Sequence, residues 1–83
     1  MKAILVKSLP TTNTKPARLV ATDEGGHEII VTRHDFNSTA RAFAPAAIAL
    51  AEQLVWSGTL IAGSLPDGSY CFVFADYDSF DIV

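Results

Sequence analysis

Two histidines, one cysteine and nine carboxylates are the side chains through which this chain could do acid–base, nucleophilic or metal chemistry. His27 and His34 stand seven residues apart in a strand-like region, and a regular strand turns them to opposite faces. Metal ligands must converge, and that spacing serves no pair on one face. His34-Asp35 offers half of an acid–base site, with no second half in the sequence. Cys71 sits among Tyr70, Phe72, Val73 and Phe74 with no cation near it in the chain. A reactive thiol needs an accessible, electropositive setting, so a packed structural cysteine is expected. Gly25-Gly26, Gly58 and Gly63 fit neither the P-loop nor the dinucleotide-binding spacing and read as turns or strand ends. No catalytic residue, cofactor or metal ligand is assigned, and the chain reads as a non-enzyme.

The distribution of charge is more informative. Every basic residue (Lys2, Lys7, Lys15, Arg18, Arg33, Arg41) lies in the first half. Glu52, Asp67, Asp76, Asp78 and Asp81 follow with no cation among them, so the net charge of -3 divides into a front half near +2 and a back half of -5. Such carboxylates must face water, the front half or a basic partner. The densest set is Asp76, Asp78 and Asp81, interleaved with Tyr77 and Phe80. Along an extended chain these carboxylates are spaced much as nucleic-acid phosphates are, with the rings as apolar anchors. Asp76, Tyr77, Asp78, Phe80 and Asp81 are therefore the expected partner-binding residues, and the partner is a protein with a basic surface. The competing reading is a solvated segment that keeps an exposed sheet edge from pairing. Direct nucleic-acid binding is not expected. Tyr70, Phe72 and Phe74 resemble a base-stacking platform, but their surroundings carry only acidic charge, and phosphate neutralisation needs bases.

The elements that position these groups follow from periodicity. Residues 3–6, 17–22 and 27–33 read as strands, the last with Ile29 and Val31 on one face and Glu28, Ile30 and Thr32 on the other. Residues 8–16 read as a loop, and Asp23-Glu24-Gly25-Gly26 as a tight hairpin turn. The period then changes to that of a helix over roughly 38–55, capped by Asn37 or Ser38, with Phe43, Ala47, Leu50 and Leu54 on one face. Ile48, Ala51 and Val55 widen that stripe. Pro45 falls early, where it kinks the first turn or begins a fresh helix. Trp56-Ser57-Gly58 ends the helix. Residues 59–63 and 69–75 form a last hairpin about Leu65-Pro66-Asp67-Gly68, and the final strand, apolar on both faces, belongs inside the sheet.

The fold class is α+β: a five-stranded, mostly antiparallel sheet in the order β-β-β-α-β-β, with one helix packed on one face. Eighty-three residues make a single domain with one small core. A composition 49% hydrophobic and 18% charged leaves more apolar surface than that core can hide, which points to self-association. Glu52 is the sole ionisable residue between Ala42 and Val55, so the outward helix face reads as largely alanine and as the expected dimer contact. The single cysteine fits a reducing compartment. With no signal-like or membrane-length apolar run, a cytoplasmic protein without membrane contact is expected.

Several stretches resemble small uncharacterised proteins encoded by bacteria, plasmids and phages. They are Met1-Lys2-Ala3-Ile4, Thr12-Asn13-Thr14-Lys15, residues 47–54 with Trp56-Ser57-Gly58-Thr59-Leu60, and Tyr70 with Phe72-Val73-Phe74. The chain departs from that pattern at Phe43-Ala44-Pro45. The resemblance carries no activity. It implies an accessory gene of mobile DNA, and with the acidic segment it implies an inhibitor of a host nucleic-acid-handling defence complex such as CRISPR. The alternative is a structural, self-associating domain.

Overall fold

Alternation of apolar and polar residues produces the strands, and the hairpin turns fix their register. The computed structural model describes residues 3–75. Five strands and one helix occur among them: β1 (Ala3–Leu9), β2 (Arg18–Asp23), β3 (Glu28–Thr32), α1 (Ala40–Gln53), β4 (Leu60–Ser64) and β5 (Tyr70–Phe74). The strands form one sheet in the spatial order β3-β2-β1-β5-β4, antiparallel at every pairing. The expected α+β class and element order both hold. The strand carrying Phe72 and Phe74 is interior, between β1 and β4.

The two short hairpins are built alike. In the first, Gly26 N–H donates to the Asp23 carbonyl (3.3 Å) and Asp23 N–H to the His27 carbonyl (3.1 Å). In the second, Gly68 donates to Leu65 (3.0 Å) and Leu65 to Ser69 (2.9 Å). Gly26 and Gly68 both have φ 87°, the left-handed conformation that closes a three-residue hairpin loop. The first turn is thus one residue longer than the two-residue turn expected there.

Side chains of Ile4, Val6, Leu19, Ala21, Phe72 and Phe74 cover one face of the sheet and are buried beneath the helix. The helix answers with Phe43 and Leu50 and with four alanines, Ala42, Ala46, Ala47 and Ala51. Phe43, Ala47, Leu50 and Ala51 are buried as expected, but the expected alanine-rich outward face is not found. The alanines face the sheet, where their small size lets the backbone approach closely. Outward lie Arg41, Pro45, Ile48, Glu52 and Gln53. Ile48 (48% exposed) and Val55 (89% exposed) belong to solvent rather than to the buried stripe, and Leu54 is half-buried.

Helix ends also differ from expectation by a residue or two. Thr39 is the N-cap, its hydroxyl accepting from Ala42 N–H at 3.4 Å. The helix begins at Ala40, five residues before Pro45, so the proline neither starts it nor interrupts more than its second turn. At the other end Val55 N–H donates to Glu52 (3.1 Å) and Trp56 N–H to Ala51 (2.8 Å). That pair is a Schellman motif. Val55, not a glycine, occupies its left-handed position, with φ 58°.

Candidate functional site

Strand directions decide which charges meet. β1 and β3 run one way and β2 and β5 the other, so Asp23, Glu24 and Glu28 arrive at the same end of the sheet as the last residues of β5. The helix runs toward this end too, since Trp56, just past it, packs edge-on against Phe74 with centroids 6.1 Å apart. Glu52 sits in its last turn with no basic residue beside it. A helix C-terminus carries a partial negative charge, so it adds to the carboxylates. Ala75 then leads into the predicted partner-binding set. Asp76, Tyr77, Asp78, Phe80 and Asp81 lie outside the described residues.

Asp23 is the best-held carboxylate at this acidic end. Its Oδ1 accepts from His27 N–H at 2.7 Å, and its Oδ2 lies 2.9 Å from His27 Nδ1. Burial works to raise its pKa, but the two bonds from His27 outweigh that and hold the carboxyl below its ordinary value. His27 is thus a turn residue tied to its own hairpin, and His34 is exposed in the segment after β3. The two histidines come from different loops, and no three of His, Cys, Asp and Glu converge among the described residues.

The opposite end gathers bases. Arg33 is its hub: Nη1 donates to Ser8 Oγ (2.7 Å), Nε to the Asp35 carbonyl (2.9 Å) and Nη2 to the Asn37 carbonyl (3.2 Å). Its guanidinium also lies over the rings of Phe36 (5.4 Å) and Phe43 (5.1 Å). Phe43 in turn packs on Tyr70 at 4.8 Å, and the Tyr70 hydroxyl donates to the Ser38 carbonyl at 2.9 Å. Arg33 therefore ties β1, the segment before the helix and the helix itself into one corner. Arg41 in the first helical turn lies at this end as well, with no acidic residue in that turn. Asp67 is its main described counter-charge apart from Asp35. Hydrogen bonds from Ser69, chiefly from its hydroxyl, lower the Asp67 pKa, and Lys7 adds attraction.

The sheet face away from the helix is uncovered among the described residues. It presents Leu5, Val20, Ile30, Ile61, Cys71 and Val73, of which Ile30 is 48% and Ile61 54% exposed. Cys71 is half-buried on this open face, not packed under the helix. Tyr70, Phe72 and Phe74 point the other way, into the core, so they form no stacking platform. Lys7, Arg18 and Glu28 rim the open face, and none forms an ion pair among the described residues. Arg18 Nε is covered and without a hydrogen-bond partner there. A shallow cleft of about 270 Å³ between the helix and β4 is lined by Ala44, Ile48, Gly58, Leu60 and Phe72, with no polar side chain aimed into it.

No helix among the described residues is long and apolar enough to cross a membrane. No protein-family model, curated protein or solved structure matches this chain.

The open sheet face carried a legible signal, since the alternation in β1, β2 and β5 leaves apolar residues on both sides. What the sequence concealed was the gathering of Asp23, Glu24, Glu28 and Glu52 at one end. Those residues lie up to 29 positions apart and meet through antiparallel pairing and the helix direction.

Proposed function

We propose that the protein is a non-enzymatic binding module that docks its acidic end on the basic surface of a partner protein. The observation that carries this reading is the convergence of Asp23, Glu24, Glu28 and Glu52, with the helix C-terminus, at the end from which the chain enters Asp76, Asp78 and Asp81. Opposed charge steers encounter and sets register, while Tyr77 or Phe80 supplies apolar contact. The partner class with the best electrostatic fit is a complex that handles nucleic acid, because its channel is already lined with bases for phosphate. With the resemblance to plasmid and phage proteins, this supports an inhibitor of a host defence complex of the CRISPR type.

The experiment is a defence assay in cells carrying a CRISPR system, followed by association kinetics on the purified effector complex. Expression of the protein should restore transformation by a targeted plasmid. Replacing Asp76, Asp78 and Asp81 by asparagine should slow association and flatten its salt dependence. Unchanged association across a salt series would sink the role given to the acidic segment. The sheet face left uncovered by the described residues favours a second reading, self-association, and the two overlap only at Glu28, which stands both at the acidic end and on the rim of that face.

A further inference from the structure

We propose that the uncovered sheet face binds a second copy of this chain about a two-fold axis lying along the diagonal from Ile30 through Leu5 to Ile61. The inference rests on the self-association reading and is independent of the acidic segment. Register fixes the layout. Val20 stands opposite both Ile30 and Lys7, Leu5 opposite both Thr22 and Cys71, and Val73 opposite both Ala3 and Ile61. The apolar side chains therefore run obliquely across the five strands. Lys7 and Arg18 flank this diagonal on one side and Glu28 on the other.

An isologous contact requires a surface complementary to itself after a half-turn. With strands about 4.8 Å apart and same-face residues about 6.8 Å apart, Lys7 and Glu28 lie roughly 5 Å to either side of the diagonal. Measured along it, Glu28 falls about midway between Lys7 and Arg18. Rotation about the diagonal lays each apolar residue on the same stripe of the second copy. It also sets Glu28 of each copy between Lys7 and Arg18 of the other. The three charges, which form no ion pair among the described residues, thereby each gain an opposite charge across the interface. The sheets then cross at about 70°, within the orthogonal class of sheet packing, with the helices on the outside. The face offers on the order of 500 Å² of flat area per copy, near the small end for specific interfaces, so the dimer dissociates on dilution.

Sedimentation of the wild type from micromolar to millimolar concentration should show the mass rising from 8.9 kDa to twice that value. Glu28→Lys alone, and Lys7→Glu with Arg18→Glu together, should each weaken the dimer tenfold or more while circular dichroism stays native. Mixing these two variants should restore association as a heterodimer, because all charges across the interface are then opposite. A wild type that remains at 8.9 kDa throughout overturns the proposal. So does a dimer indifferent to both charge reversals, or a pair of folded variants that fail to associate when mixed. The triple asparagine variant at Asp76, Asp78 and Asp81 should leave the dimer intact. If it abolishes the dimer instead, association belongs to the acidic segment and the sheet-face interface is wrong.

Discussion

Val55 holds a left-handed backbone, φ 58°, with its side chain 89% exposed. A β-branched residue is strained there, whereas glycine is not. Nothing in the described fold uses the valine side chain, so Val55→Gly should raise stability by about 1 kcal/mol. A thermal midpoint that falls instead would mean that the valine makes a stabilising contact. Asp23 gives a second expectation at this scale. Its pKa lies below the ordinary 3.8, so the unfolded chain binds the proton more readily than the folded one. The resulting stability is complete above that value and is lost as pH falls through the folded pKa. Denaturation midpoints followed from about pH 5 to about pH 2 should fall less in Asp23→Asn than in the wild type. Equal slopes would remove His27 as the cause. Neither role stood out in the sequence: Val55 read as part of the helix stripe, and His27 as a strand residue rather than as the partner of Asp23.

At the scale of the elements, the helix was legible in extent and in the burial of Phe43, Ala47 and Leu50, but not in the limits of its buried face. Seven of its fourteen residues are alanine, so hydrophobicity runs nearly around the cylinder and sequence alone does not choose where the buried face ends. The sheet chooses it, by placing Phe72, Phe74 and Val6 where Phe43 and Leu50 can fill the space between small neighbours. Leu50 is fully buried and Leu54 only half-buried at the C-cap. Leu50→Ala should cost about 2–5 kcal/mol, and Leu54→Ala about 1 kcal/mol. Equal losses in urea denaturation would mean that the helix is rotated from this position. The helix ends carry the wrong charges for the helix dipole, with Arg41 in the first turn and Glu52 in the last. Arg41→Glu should therefore stabilise by roughly 0.5 kcal/mol at low salt, fading as salt is added. No gain at low salt would point to a favourable contact of Arg41 that offsets the dipole.

For the whole molecule, the sheet order turns a front-to-back asymmetry of charge into a polarity between two ends. Bases gather around Arg33 and the helix start, and carboxylates around Asp23 and the helix finish. That polarity runs along the strands, while the apolar open face lies across them, so one molecule has separate means for steering and for adhesion. If the face joins two copies, ligand-like linkage applies and the wild-type unfolding temperature must rise with protein concentration. Calorimetry at two concentrations a hundredfold apart should show a larger rise in the wild type than in Glu28→Lys. A wild-type midpoint independent of concentration would count against any dimer in that range.

The sequence by itself determined the elements, because strand and helix periods are local and the turns about Gly26 and Gly68 need a left-handed residue wherever the chain folds. It also determined that β5, apolar on both faces, lies inside the sheet. Three things were decided only by tertiary structure: how far the buried face of the alanine-rich helix extends, which carboxylates meet at one end, and that Cys71 faces out of the core. Each depends on the pairing of strands far apart in the chain, and in particular on β5 inserting beside β1. Local residue patterns cannot encode that choice, since the antiparallel neighbours of β1 are selected by how well the whole apolar face closes under the helix.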